Sequence, residues 1–144
     1  MIRPAQCTDM DALVSIWLTA SLTAHDFITD SYWREQQSAM KDVYLPQACT
    51  LVAEDRGEIC GFVSLMDSQV AALFVDQERQ GKGYGKQLLE WVQNEYSFLS
   101  LQVYVKNERA IQFYKRFDFQ IVSEQMDDVT GEREYVMEWK KAAE

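Results

Sequence analysis

Proline and glycine are scarce in this chain, two and six among 144 residues. A flexible linker cannot be built from so few, so residues 1–144 read as a single domain. Histidine occurs once, and the three cysteines (Cys7, Cys49, Cys60) have no metal-ligand spacing. That argues for no metal centre, no disulfide framework and a reducing compartment. Cations are also in short supply: 14 Lys and Arg face 23 Asp and Glu, a net charge of −9. Binding nucleic acid without sequence preference needs clustered Lys and Arg, so no nucleic-acid partner is expected. An acidic field does attract amines. No apolar run approaches the roughly 20 residues of a membrane span, so no membrane partner is expected. Ala12 to Ala24 is apolar enough to suggest a signal-peptide core, but Asp9 and Asp11 stand where such a peptide carries positive charge. The expected location is cytoplasmic.

Apolar residues are plentiful, at 47%, with four Trp, seven Tyr and seven Phe. A chain of this size and composition fills a real core. Its most informative stretch runs from Ala71 to Tyr96. The apolar run Ala71–Val75 reads as a buried strand ending at Asp76. Three glycines follow at alternate positions in Gln80-Gly81-Lys82-Gly83-Tyr84-Gly85-Lys86. Leu88, Leu89, Val92 and Tyr96 then take helical spacing. A strand, a glycine turn and a helix N-terminus together offer unpaired backbone N–H groups to an anion. Arg79, Lys82 and Lys86 add a local positive island to an acidic chain. The spacing matches neither the Walker loop nor the dinucleotide fingerprint.

Gln80 to Gly85 resembles instead the Q/R-x-x-G-x-G/A signature of the GCN5-related N-acetyltransferases (GNAT), which bind the pyrophosphate of acetyl-CoA there. A second stretch, Asn107 to Phe119, is similar to the family's N-x-x-A-x-x-F-Y-x-x-x-G-F segment at Asn107, Ala110, Phe113, Tyr114 and Phe119. Asp118 takes the place of the glycine, and Asp tolerates a left-handed backbone better than most residues.

The coarse element order agrees. A strand over 1–6 precedes a helix over 9–21, capped by Thr8 or Asp9. A helical region over about 30–45 carries Trp33, Gln37, Met40 and Tyr44 in one stripe and ends at Pro46. Strands at Thr50–Glu54 and Glu58–Met66 flank the hairpin turn Asp55-Arg56-Gly57. Gln69–Val75 is the fourth strand, and a helix spans Gly83 to Tyr96. Leu99–Lys106 is the fifth strand, and a helix capped by Asn107 runs to about Phe117. Strands Phe119–Gln125 and Arg133–Trp139 close the chain. This α/β (α+β) order resembles the single-domain acetyltransferase fold: a mixed sheet of about seven strands, splayed between strands 4 and 5 and flanked by four helices.

The resemblance implies a cofactor, acetyl-CoA, and an acceptor, a primary amine on a protein lysine, an N-terminus or a small molecule. Leu73, Phe74 and Val75 would bind the pantetheine arm through their backbone, with an oxyanion donor near Phe74. Backbone groups of Gln80, Gly81, Lys82, Gly83, Tyr84, Gly85 and Lys86 would take the pyrophosphate. Asn107 would contact the cofactor or cap its helix. Tyr114 would protonate the leaving thiolate, and Ala110, Phe113 and Phe117 would pack on the sheet. His25, in a His-x-Phe element similar to that of a bacterial subgroup, is open to three roles: catalytic base, substrate contact with Phe27, or loop hydrogen-bond partner. Glu54, Asp67 and a water relay are rival proton routes. The expected activity is direct acetyl transfer in a ternary complex; the alternative is a non-catalytic CoA-binding module.

Overall fold

The structure, a computed structural model, describes residues 1–142. Seven strands form one sheet in the order β1-β2-β3-β4-β5-β7-β6. They are β1 (Ile2–Pro4), β2 (Cys49–Asp55), β3 (Glu58–Met66), β4 (Gln69–Val75), β5 (Phe98–Tyr104), β6 (Gln120–Met126) and β7 (Arg133–Lys140). All neighbours pair antiparallel except β4 and β5, which are parallel. The sheet is thus mixed, as expected.

The β2–β3 connection turns on Arg56 (φ 54°) and Gly57 (φ 81°). Two consecutive left-handed residues match the right-handed twist of the strands that they join. Between β4 and β5 only two pairs form, Gln69↔Ser100 and Val70↔Leu101. Opposite Ser64–Leu65, β4 carries an extra residue, Ala71, between the partners Val70 and Ala72. Such a bulge bends its strand, and β4 parts from β5 beyond it. This is the expected splay.

Four helical regions flank the sheet. The first is α1 (Met10–Ala24). The second is a chain of short pieces: α2 (Asp30–Glu35), α3 (Gln37–Ala39), a π-helical turn (Met40–Tyr44) and α4 (Leu45–Gln47). The others are α5 (Tyr84–Glu95) and α6 (Glu108–Arg116). Two apolar clusters fill the spaces around the sheet. One packs α1 and the second helical region against Val52 and Phe62; the other packs α5 and α6 against residues such as Val63, Leu99 and Met137.

Two expectations need correction. Helix α1 has no side-chain cap from Asp9. Asp9 instead receives Arg3 at 2.8 Å and the Gln6 N–H at 2.7 Å, and these partners lower its carboxyl pKa. The second helical region also runs past Pro46 to Gln47. Proline cannot donate to a preceding carbonyl, and the wider π turn before it accommodates that loss. The turn's extra residue rotates the stripe, so Leu45 is buried where Tyr44 was expected, and Tyr44 is exposed.

Candidate active site

The β4–β5 gap is the centre of the site. Asp76 N–H donates to the Cys60 carbonyl of β3 at 2.8 Å. Backbone groups alternate in direction along a strand, so Phe74 N–H also faces β3. The N–H groups of Leu73 and Val75 face the gap. The donors beside Phe74, and not its own N–H, therefore address whatever enters there.

Beyond Val75 the chain makes a 3₁₀ turn (Gln77–Arg79), in which Asp76 accepts from the Glu78 N–H at 3.2 Å. The Gln77 amide ties this turn to Thr23 of α1. Gly81 and Gly83 have φ of 81° and 87°. A Cβ on either would meet no atom within 4 Å. Glycine is required at both by backbone conformation rather than by crowding. The first intrahelical bond of α5 runs from Gln87 N–H to the Gly83 carbonyl, at 3.0 Å. The preceding N–H groups of Tyr84, Gly85 and Lys86 have no helical acceptor and stand at the positive end of the helix dipole, where an anion is favoured.

On α6 the Asn107 side chain accepts from the Ala110 N–H at 3.2 Å, so the cap is real. Its Nδ2 then faces His25 Nε2 at 3.2 Å. Ile111 and Tyr114 form the buried face of α6, while Ala110, Phe113 and Phe117 are only partly buried and line a groove. All three also pack against the buried cluster that α6 covers, as expected, and Ile111 and Tyr114 lie deeper. The helix bridges core and groove, and Phe113 lies 3.5 Å from the space beside Gly85. Asp118 ends the helix at φ 68°, as its glycine-like position requires.

A long groove of about 990 Å³ runs over the glycine turn and α6, and a smaller cavity of about 450 Å³ lies between α1, the second helical region and the sheet. They share six lining residues: His25, Leu73, Phe74, Asn107, Ala110 and Tyr114. Both volumes therefore meet at the β4–β5 gap, with Tyr114 in the wall of each. The Tyr114 hydroxyl has no hydrogen-bond partner among the described residues, and burial pushes its pKa well above the ordinary tyrosine value. The hydroxyl therefore keeps its proton at neutral pH.

Val75, Gln80, Gly81, Gly83, Tyr84, Gly85 and Lys86 line the groove. Lys82 is exposed and does not line it. Phe27 lines neither volume; its ring packs against His25 at 5.9 Å and Tyr104 at 5.5 Å. Arg79 borders the groove with its guanidinium on Glu58 and 2.9 Å from Cys60 Sγ. Arg109 and Arg116, missed in the sequence, add positive charge to the same groove. Their seven-residue spacing on one helix was the available signal.

Of the rival proton carriers, Glu54 is paired with Arg3 at 2.7 Å, and Asp67 sits in the β3–β4 turn; neither lines either volume. His25 is wedged among aromatic rings, with Trp33 at 5.3 Å and Tyr104 at 5.1 Å. Burial lowers its pKa to about 4. Because Nε2 accepts from Asn107, the ring proton resides on Nδ1, which is buried without a partner. Below the unfolded-state pKa of about 6.5, unfolded chains bind a proton that the folded imidazole refuses. Stability should then decline as pH falls from about 6.5 to 4, by about 1.4 kcal/mol per unit at most. Urea midpoints of the wild type and His25→Gln between these pH values test this. Parallel profiles would clear His25 of the effect.

The comparisons agree with this geometry. The profile of the acetyltransferase (GNAT) domain matches residues 46–121. The chain is 38% identical over 140 residues to the peptidyl-lysine N-acetyltransferase YiaC of Escherichia coli K12, covering 96% of each protein. The chain belongs to the GNAT family of N-acetyltransferases. This GNAT enzyme also resembles YjaB of Escherichia coli, whose apo-form solution structure superposes with a TM-score of 0.86 at 28% identity, covering 99% of this chain and 98% of that one. YiaC and YjaB are the subgroup to which the His-x-Phe element pointed. The yncA acetyltransferase of Salmonella typhimurium, solved with its cofactor acetyl-CoA, shares the fold (TM-score 0.72, 19% identity, 100% and 95% covered). The acetyl donor of this GNAT enzyme is acetyl-CoA and its acceptor an amine. No described helix is long and apolar enough to cross a membrane.

Proposed function

We propose that this chain acetylates lysine side chains of proteins or peptides, by direct attack of the amine on acetyl-CoA in a ternary complex. The observation that carries the reading is the meeting of the two volumes at Leu73, Asn107 and Tyr114. Donor and acceptor can approach one point from opposite sides without exchanging places. Similarity to YiaC supports lysine as the acceptor.

The groove fits the donor: it offers free N–H groups at Leu73 and Val75, a left-handed glycine turn, the unbonded start of α5, and the cations Lys86, Arg109 and Arg116. Acetyl-CoA supplies an acyl group on a thioester. One of the two N–H groups, Leu73 or Val75, holds the carbonyl oxygen as negative charge grows on it, and the other pairs with the pantetheine arm, because same-side donors on a strand lie about 6.6 Å apart. The Tyr114 hydroxyl passes its proton to the departing sulfur as the carbon–sulfur bond breaks and the carbon–nitrogen bond forms. None of the three cysteines lines either volume, which supports transfer without an acyl-enzyme. With Nε2 occupied and Nδ1 protonated, His25 acts by fixing Asn107 and walling the acceptor side. The ammonium proton leaves through water in the cavity. Three free thiols suit a reducing compartment, and we place the reaction in the cytoplasm.

The test is thiol release from acetyl-CoA with three acceptors: a lysine peptide blocked at its N-terminus, the same peptide without lysine but with a free N-terminus, and butylamine. Mass spectrometry locates the acetyl group. Acetylation of the blocked lysine peptide is expected. Turnover confined to either other acceptor would overturn the lysine assignment.

A further inference from the structure

The two volumes carry opposite charge. The groove is lined by Arg79, Lys86, Lys106, Arg109 and Arg116, with Glu108 as its one carboxylate among the described residues. The small cavity has no Lys or Arg among its lining residues and two carboxylates, Asp127 and Glu134. Its other walls include Trp17, Trp33, Tyr44 and Tyr104, whose faces suit an alkyl chain or a cation.

Asp127 is held in place from several sides. Tyr104 donates its hydroxyl to Oδ2 at 3.0 Å, and the Val129 N–H donates to Oδ1 at 2.9 Å. Its own N–H bonds the Glu132 carbonyl at 2.8 Å, and its carbonyl accepts from Gly131 at 2.7 Å. Burial opposes ionisation of Asp127, but these hydrogen bonds outweigh it and lower the pKa, so the group is an anion at neutral pH. Glu134 stands opposite Tyr104 in the β5–β7 ladder and accepts from Gln125 at 2.8 Å. The neighbouring cation Lys106 is taken up by Glu132 at 3.1 Å and lies over the Phe27 ring. Neither Asp127 nor Glu134 pairs with a protein cation among the described residues.

The position of these carboxylates determines their use. An amine attacks only after losing its proton, and a carboxylate beside it would hold that proton on. Asp127 is not beside the reaction point. It sits at the hydroxyl end of Tyr104, whose ring packs on His25, and His25 in turn touches Asn107. A fixed anion at that remove serves a charge other than the one being acetylated.

We infer that Asp127, with Glu134, is a specificity determinant that selects acceptors carrying a second positive charge near the target amine. For a peptide, that is a Lys or Arg beside the acetylated lysine; for a small molecule, a diamine. The inference rests on the reading of the small cavity as the acceptor side, and not on the acceptor being a peptide.

The test compares kcat/KM for two acceptor pairs: blocked lysine peptides with Arg or Glu flanking, and 1,5-diaminopentane against pentylamine. The wild type should favour the dicationic member of whichever pair it acetylates by roughly tenfold or more, and the ratio should shrink as potassium chloride is raised. Asp127→Asn should bring the ratio toward unity mainly through KM, and Asp127→Glu should restore part of it. Glu134→Gln should lower it less, since Glu134 shares itself with Gln125. A ratio near one in the wild type, or one unaltered in Asp127→Asn, would overturn the inference. Failure of both peptides with success of the diamine would sink the lysine assignment while upholding the dicationic preference.

Discussion

Tyr114→Phe is expected to lower kcat by about 10²–10⁴ while leaving acetyl-CoA affinity within a few-fold of the wild type. The substitution removes one oxygen and keeps the ring that packs against Phe113 and Phe119. The hydroxyl has no protein partner among the described residues, so no buried group is orphaned by its loss and the fold should be retained. What disappears is the proton waiting beside the splay. A departing thiolate, with a conjugate pKa of about 8.5, must otherwise leave unprotonated or find a proton in solvent. Stopped-flow turnover and calorimetric binding of acetyl-CoA read the two quantities separately. Full turnover in the variant would remove Tyr114 from the mechanism; loss of binding instead would make it a wall of the groove and no more.

Gly83→Val should weaken CoA binding on the order of 10²-fold. The reason is the backbone and not contact, because a side chain at Gly83 would meet open space. A β-branched residue at φ 87° is a conformational outlier. The turn would relax to negative φ and swing the N–H groups of Tyr84, Gly85 and Lys86 out of line. Each charge-assisted bond is worth about 1.5–3 kcal/mol, so losing one or two accounts for the expected effect. Gly131→Val is the control. It has a similar φ of 75° but lies outside the groove. It should destabilise the fold comparably and spare CoA affinity. Equal affinity losses in both variants would mean that strain alone, and not the turn, governs binding.

Much of this could be read before any coordinates. Strands β3 and β4 have the boundaries expected of them, because each lies between strong turn signals and alternates or runs apolar in between. The glycine turn and the Asn107 cap were legible because each depends on neighbours within a few residues. What escaped was of another kind. The π turn moved Leu45 inward through a one-residue insertion that no periodicity marks. The packing of the α6 face was legible but its second use was not: the helix borders two environments, and Ala110, Phe113 and Phe117 pack on the core while lining the groove. Asp127 was invisible because its partner Tyr104 is distant in the chain, and only β5–β7 pairing brings the two together. His25 was singled out by its chemistry, but its partner Asn107 was not legible, because the contact joins opposite halves of the sequence.

The interrupted β4–β5 ladder has a consequence for how the molecule coexists with its neighbours. A strand with unused hydrogen-bonding groups on a sheet's periphery is a template for aggregation. Here the unused row lies inside the sheet, closed at the Val70–Leu101 apex and bordered by α6. A foreign strand has no path along it, whereas a slender, flexible ligand does. The fold thus keeps sticky backbone available for a small molecule without offering it to other polypeptides.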